Sequence, residues 1–512
     1  MLRESWINAR NQKILSLISA LLLVLGFALL NTGEPTNAPN PLFRVGITLC
    51  YVGFGVFLLR AFLIFIRLRN ASGSQCSQNL KRRAFSYLSA TYPFFLALLG
   101  IILLGIISLH FSADKSMTWG FLRRYLLEPS LFFLLTSLYV YMLKSHQDRM
   151  LFYVCLGIVS LHPLLTIADF YHYGIEGGRT FTSVLGSYRP MPVFFSEAQT
   201  GYGFFLIISL SFSLALYVKS RHKLAMLLVL LNILACLITN TRLVYVACFV
   251  ILLAPLILLS YRHKRKLLLV ALGVGTLLFV AFYHISADLS PRYNIHAMLE
   301  NFSKVITLPP AAMGRFDDVC DETQKCMPQS FPRDPETTWE HSSLNRLSMA
   351  KSTWLGILDN PLRPNGFGLG LFAKNIVHIF GQESEQLPYY IQRQDDGTIL
   401  PYYWTNHHGL LYLWFELGGI GFAFILWLHG WILLQARRIY YTSNSTHTAV
   451  FALGMALSIL GLIAANCFDA LPNRAGTLIL FMLFGVFVAL CVKSQESNRQ
   501  SLDRSAKESS NA

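Results

Sequence analysis

Two adjacent histidines, His407 and His408, stand where a polar stretch gives way to a long apolar run, in TNHHGLLYLWFELGGIG. Imidazole exchanges a proton near neutral pH more readily than other side chains, so a histidine at such a boundary suits a general base acting on a hydroxyl. It equally suits a helix cap. Adjacent histidines point in different directions on a helix, and no HExxH or paired carboxylates lie nearby, so the pattern offers no metal centre. The natural partners are arginines. Arg242 closes Thr239-Asn240-Thr241-Arg242, a connection of almost no length between two apolar runs, and Arg346 lies in Asn345-Arg346-Leu347. Arg123 and Arg124 open another run, Arg189 lies in the 170–195 connection, and Asp469 and Arg474 flank the last two runs in CFDALPNR. A guanidinium donates a planar pair of hydrogen bonds that fits phosphate oxygens. Near a membrane surface such arginines either snorkel to lipid headgroups or clamp a diphosphate carried on a lipid tail. On the second reading Arg242 and Arg346 stabilise a diphosphate as it leaves. Asp469 and Arg474 read as a structural ion pair or as groups that orient the reacting ones.

What must position these residues is a membrane bundle. Hydrophobic residues make up 54% of the 512 and charged residues 13%, with a mean hydropathy of +0.47. Soluble domains carry about twice that charged fraction. Apolar runs long enough to span a bilayer centre on 14–30, 45–66, 87–109, 125–143, 151–167, 202–218, 224–238, 243–259, 267–285, 410–434, 449–465 and 475–492. The chain is therefore an all-α integral membrane protein of about twelve spans. The first run lacks a small-residue cleavage site and reads as a retained helix. Lys and Arg collect in alternate short connections, which puts both termini in the cytoplasm and the His407 end of the bundle on the opposite side. The net charge of +15 is largely this topology signal, dispersed over many short connections, and gives no nucleic-acid face.

The division along the chain is spans one to nine over 1–285, a large outer loop over 286–405, spans ten to twelve over 406–492, and a polar tail over 493–512 that reads as disordered. The large loop is partly helical by its pattern. Ser290-Pro291 looks like a helix start, and Ser342 or Ser343 can cap a helix that ends before Asn360-Pro361. Gly366, Gly368 and Gly370 form GFGLG, which lacks the residues of a phosphate loop and suits a tight turn. Cys320 and Cys326 are the two cysteines of this loop, placed for a short disulfide if it faces an oxidising compartment, with two free thiols as the alternative.

These residues resemble the O-antigen ligases (WaaL type) of Gram-negative bacteria, within the O-antigen ligase and polymerase superfamily. The family pattern is His, then Asn, Ser or Gln, nine residues, Gly, two residues, and Gly, Thr or Tyr. Here it runs from His407 through Gly418 to Gly421, with His408 where an amide or hydroxyl is usual. Thr239 to Arg242, Asn345 to Leu362, Asp469 with Arg474, and SEAQTGYGFFLI from Ser196 resemble further family blocks, in the same order. The resemblance implies a GT-C-like architecture with a large periplasmic loop between spans nine and ten. It implies transfer of a glycan from undecaprenyl diphosphate to a sugar hydroxyl of lipid A–core at the periplasmic face of the inner membrane. His407 would be the base, Arg242 and Arg346 would hold the diphosphate, and Arg123, Arg124, Arg189, His408, Asp469 and Arg474 would contact donor or acceptor. No metal or other cofactor is implied. An O-antigen polymerase or a protein O-oligosaccharyltransferase shares the fold and differs in acceptor. A secondary transporter also has about twelve spans, but it concentrates polar groups near the midplane rather than at one surface. A structural scaffold would leave the histidine and arginines as coincidence.

Overall fold

A computed structural model of the chain describes residues 9–32, 40–176, 199–239, 241–259, scattered positions between 266 and 284, 295–307, 319–320, 326–327, 341–368, 371–387, 391–393, 399–401, 407–467 and 473–510. In chain order the helices are α1 (Ala9–Leu30), α2 (Pro41–Phe111), α3 (Lys115–Leu122), α4 (Glu128–Met142), α5 (Ser145–Val159), α6 (Leu161–Asp169), α7 (Gln199–Ser220), α8 (Lys223–Ile238), α9 (Arg242–Leu258), α10 (Ile295–Thr307), α11 (His341–Asp359), α12 (Phe372–Phe380), α13 (Gly409–Thr442), α14 (Thr446–Ala465) and α15 (Arg474–Ser510). Two short antiparallel pairs join β1 (Val319–Cys320) to β2 (Cys326–Met327) and β3 (Ile391–Arg393) to β4 (Ile399–Pro401).

Among the described residues, nine helical segments are long and apolar enough to cross a membrane, and α8 and α9 are two shorter apolar helices. These account for every expected span except the ninth, 267–285, of which only scattered positions are described. The α2 stretch contains two spans, Pro41–Ile66 and Tyr87–Phe111, and doubles back between them. Tyr51, Phe54 and Phe57 run down α4 from Phe132 to Tyr139, whereas Tyr87 meets Ser137 and Phe94 stacks on Phe133 in the reverse order.

Burial sorts the spans. In α14 and α15, 83% and 89% of the apolar window is buried by protein, against 33% in α1 and 22% in the first span of α2. The first pair, with α7 at 72%, forms the interior; the second lies at the lipid-facing edge. Several polar groups inside are held by hydrogen bonds, as a low-dielectric medium favours. Asn232 donates to Leu228 O at 2.8 Å and to Ser213 Oγ at 3.3 Å, and Thr166, Tyr202 and the His162 carbonyl are joined by bonds of 2.7 and 2.8 Å. At the other end, Lys493 donates to Asp148 at 2.6 Å and to Leu143 O at 2.8 Å. From there α15 continues as helix to Ser510, across the stretch expected to be disordered. Its Gln, Glu, Arg, Lys and Ala residues are adequate helix formers that extend a helix already nucleated in the bundle.

The large loop contributes a layer on the His407 end of the bundle. α11 ends at Asp359, as Asn360-Pro361 suggested, while Ser290-Pro291 lies outside the described residues. Met349, Ile357, Phe372 and Ile376 of this layer form one apolar cluster with Tyr412 and Phe415 of α13. Lys374 pairs with Asp114 at 2.9 Å, and Asn375 Oδ1 accepts the Ala113 N–H at 3.2 Å, which ties the layer to the turn between α2 and α3. The Met117 N–H and then Lys374 hold the Asp114 carboxyl below its ordinary pKa.

Candidate functional site

α13 starts at Gly409, and His408 is its N-cap. The His408 Nδ1 accepts the Leu411 N–H at 3.3 Å, and the Leu410 N–H donates to the Asn466 carbonyl at the end of α14 at 3.3 Å. Neutral imidazole thus does here what an amide or hydroxyl does at other N-caps. Burial pushes the His408 pKa down, and only a ring unprotonated at Nδ1 can accept this bond. The unfolded chain titrates at the ordinary value, so below about pH 6.5 it binds more protons than the folded one and stability falls. His408→Asn should keep the cap and remove this acid sensitivity, whereas His408→Ala should cost about 1 kcal/mol. Melting temperatures measured between roughly pH 5 and pH 8 check both, and an unchanged acid profile in His408→Asn would count against the cap.

His407, one residue earlier, is half-buried and has φ of 56°, in the left-handed region. For a residue bearing a side chain this conformation costs on the order of 1 kcal/mol and collects at functional positions.

Arg242 is the first residue of α9. The turn that delivers it is tied by its own hydroxyls: Thr239 Oγ1 donates to Cys236 O at 2.7 Å and Thr241 Oγ1 to Thr239 O at 3.0 Å. The Thr241 carbonyl then accepts the N–H groups of Val244 and Tyr245, opening α9. The half-buried guanidinium of Arg242 therefore sits at a positive helix end. Arg346 lies on the first half of α11, also half-buried. α11 descends beside α13, with Gly356 against the Phe415 ring and Trp354 edge-on to Trp414 at 5.9 Å. Arg346 is about 15 Å back along its helix from Gly356, and His408 about 10 Å back along α13 from Phe415. Both stand at the same end of their helices. α14 links this pair to Arg242, packing against α13 on one side and α9 on the other, where Gly461 meets Ile251.

The glycines after the histidines mark a break in α13. Gly418 has φ 69° and ψ 172° inside the helix, a conformation essentially restricted to glycine. The turn after α11 fills the break. The Asn365 backbone N–H donates to Phe415 O and Glu416 O at 3.2 Å each, and its side-chain amide to Phe415 O at 3.1 Å. Pro361 O accepts from Gly419 N–H at 2.8 Å and from Trp414 Nε1 at 3.0 Å. Glu416, 3% exposed, accepts the Gly368 N–H at 2.6 Å, while the Tyr412 hydroxyl donates to Gly368 O at 2.7 Å. GFGLG thus supplies the turn expected of it, with Gly366 at φ 111° and Gly368 at φ 148°; Gly370 lies outside the described residues. Beneath Gly409 a cavity of about 190 Å³ opens among the helices, with Tyr412, Glu416, His429, Asn466 and Thr477 in its wall.

Glu416 escaped the sequence reading, although a carboxylate inside an apolar run is itself a signal. Among the other residues singled out, Arg123 and Arg124 are exposed on a π-helical turn, Arg123–Leu127, between α3 and α4. Arg474 donates to Glu128 at 3.0 Å and lies 5.7 Å from the Phe43 ring centre, and Glu128 also accepts the Tyr51 hydroxyl at 2.9 Å. That joins α2, α4 and α15. Asp469 and Arg189 lie outside the described residues. β1 and β2 pair Cys320 directly with Cys326 along the backbone.

Fold and site together define a multi-pass helical membrane protein with His407 and Arg242 at one end of the bundle and Arg346 in the partly helical layer at that end. Residues 227–426 match the family described as O-antigen ligase, a stretch that contains Arg242, Arg346, His407, Glu416 and Gly418. The matched stretch, 227–426 of the 512 residues, supports membership of the O-antigen ligase/polymerase superfamily, glycosyltransferase-like enzymes of lipid-linked glycans in membranes. No curated protein matches it.

Proposed function

We propose that this protein is an O-antigen ligase. It transfers a glycan from undecaprenyl diphosphate to a sugar hydroxyl of lipid A–core, at the periplasmic face of a bacterial inner membrane, with both termini in the cytoplasm. The acceptor hydroxyl gives its proton to His407, and its oxygen attacks the anomeric carbon with inversion. The bond from that carbon to the diphosphate oxygen breaks, and the diphosphate departs with its electron pair against Arg242 and Arg346. Arg123, Arg124 and Arg189 draw in the anionic carrier, and Asp469 contributes to binding donor or acceptor. The cavity beneath Gly409 receives the first part of the lipid tail. A Cys320–Cys326 bridge belongs to the same oxidising side. The reaction needs no nucleotide, since the phosphoester of the donor supplies the driving force, and Arg242 and Arg346 take the place of a metal in holding the diphosphate.

The observation that carries this reading is the left-handed backbone of His407 at the mouth of α13. A residue that only capped the helix would not need it, and His408 already does the capping. The test is a reconstituted assay with EDTA, lipid-linked glycan and lipid A–core. The parent should glycosylate lipid A–core, and Arg242→Ala and Arg346→Ala should each lose about 10²–10³ of the rate. Chain extension on the carrier in place of this product would make the protein a polymerase. Neither product from folded protein would point to a transporter.

A further inference from the structure

The last turns of α11 and the turn that follows it carry three large apolar side chains outward. Trp354 is 42% exposed, Leu358 56% and Leu362 62%, at a spacing of four residues, while Met349, Ser352, Thr353 and Ile357 on the opposite side are at most 2% exposed. This edge does not stand clear of the spans. Pro361 O bonds the Gly419 N–H, and the Leu362 side chain lies 3.3 Å from where a Cβ on Gly419 would sit. Two residues further along α13, Gly421 faces Leu104 of α2, about 10 Å inward from the end of that span. Leu362 is therefore level with the apolar part of the bundle, and the exposed Ile420 of α13 (49%) follows Gly419 directly. Trp354 meets Trp414 edge-on and Trp414 stacks on Phe422 at 5.3 Å, an aromatic ladder from the layer into the span, of the kind that marks membrane interfaces.

We propose that the Trp354–Leu358–Leu362 edge is seated among the lipid acyl chains of the leaflet nearest His407, so that α11 is a re-entrant strut rather than part of a layer resting above the membrane.

Irregular backbone is tolerated at that depth only where its polar groups are satisfied within the protein. The turn meets this condition through Gly419, Trp414 and Asn365, and through the Arg363 N–H, which Asn360 accepts at 3.3 Å. Arg363 fits as well: its guanidinium pairs with Asp359 at 3.5 Å and lies over the Phe111 ring at the end of α2, directed toward the surface. The occupant is lipid because the edge is continuous with the lipid-facing side of α13. The seat also fixes the height of Arg346, about 18 Å back along the helix from Leu358. This holds whichever acceptor the enzyme uses.

The test places an environment-sensitive fluorescent amino acid, by codon suppression, at position 358, at position 362, or at exposed Glu383 of the layer, in the full-length protein in nanodiscs. Lipids brominated on their acyl chains should remove most of the emission at 358 and 362 and leave 383 nearly unchanged. Aqueous iodide should do the reverse. Iodide quenching at 358 and 362 equal to that at 383 would overturn the proposal by showing the edge in water. Protection from both quenchers would also overturn it, since protein rather than lipid would then cover the face.

Discussion

Gly418→Ala should melt far below the parent, and much of it should fail to leave the membrane as a monodisperse species. Two effects combine. The backbone at φ 69° and ψ 172° is strained for any residue with a Cβ, by about 1–3 kcal/mol. The added Cβ would also fall on the carbonyl oxygen of Leu362, with the carbonyl carbons of Leu362 and Arg363 at 2.9 Å. Backbone in a clamped turn cannot swing aside as a side-chain tip can, and overpacking of this kind costs roughly 1–3 kcal/mol more. The fair comparison is Gly430→Ala, in the same helix. A Cβ there meets nothing within 4 Å, and alanine should stabilise by up to about 1 kcal/mol. Thermal melts by size-exclusion fluorescence read both. A Gly418→Ala protein as stable as the parent would mean that α13 is not broken as described.

The second large effect is on activity. His407→Ala should lose about 10²–10⁴ of the transfer rate, the range general-base catalysis supplies. His407→Gly should lose as much yet melt higher than His407→Ala, because glycine accepts φ of 56° without the strain that alanine keeps. Stability and activity would then diverge at one position, as expected where strain serves function. If His407→Gly melts below His407→Ala, the backbone conformation is wrong. If both variants stay active, the base lies elsewhere.

The parts legible in the sequence were those written locally. Span positions follow from the lengths of apolar runs, and α11 ends where Asn360-Pro361 says it must. The GFGLG turn was legible for the same reason. What escaped was written across distance. Nothing near Gly418 announces that Pro361 and Asn365 will take up the hydrogen bonds a broken helix leaves open. Arg474 read as a partner for Asp469 or as an orienting group, and nothing in its surroundings along the chain points to the ion pair it makes with Glu128, on another helix. The role of His408 needed the ring nitrogen and the Leu411 amide in view together, since the sequence permits base and cap alike.

The clamp on α13 has a consequence for how the protein is made. Asn360 to Gly368 leave the ribosome before Gly409 does, so the seat is synthesised ahead of the helix that needs it. Until that turn docks, α13 presents the translocon with an uncompensated carboxyl at Glu416 and a gap in its backbone ladder, both expensive in hydrocarbon. Span ten therefore enters the bilayer as a poor client and becomes a good one only when the re-entrant turn reaches it. A chain stalled between those two moments keeps that defect exposed in the bilayer, so the order in which one loop finds one helix is part of how the fold is reached.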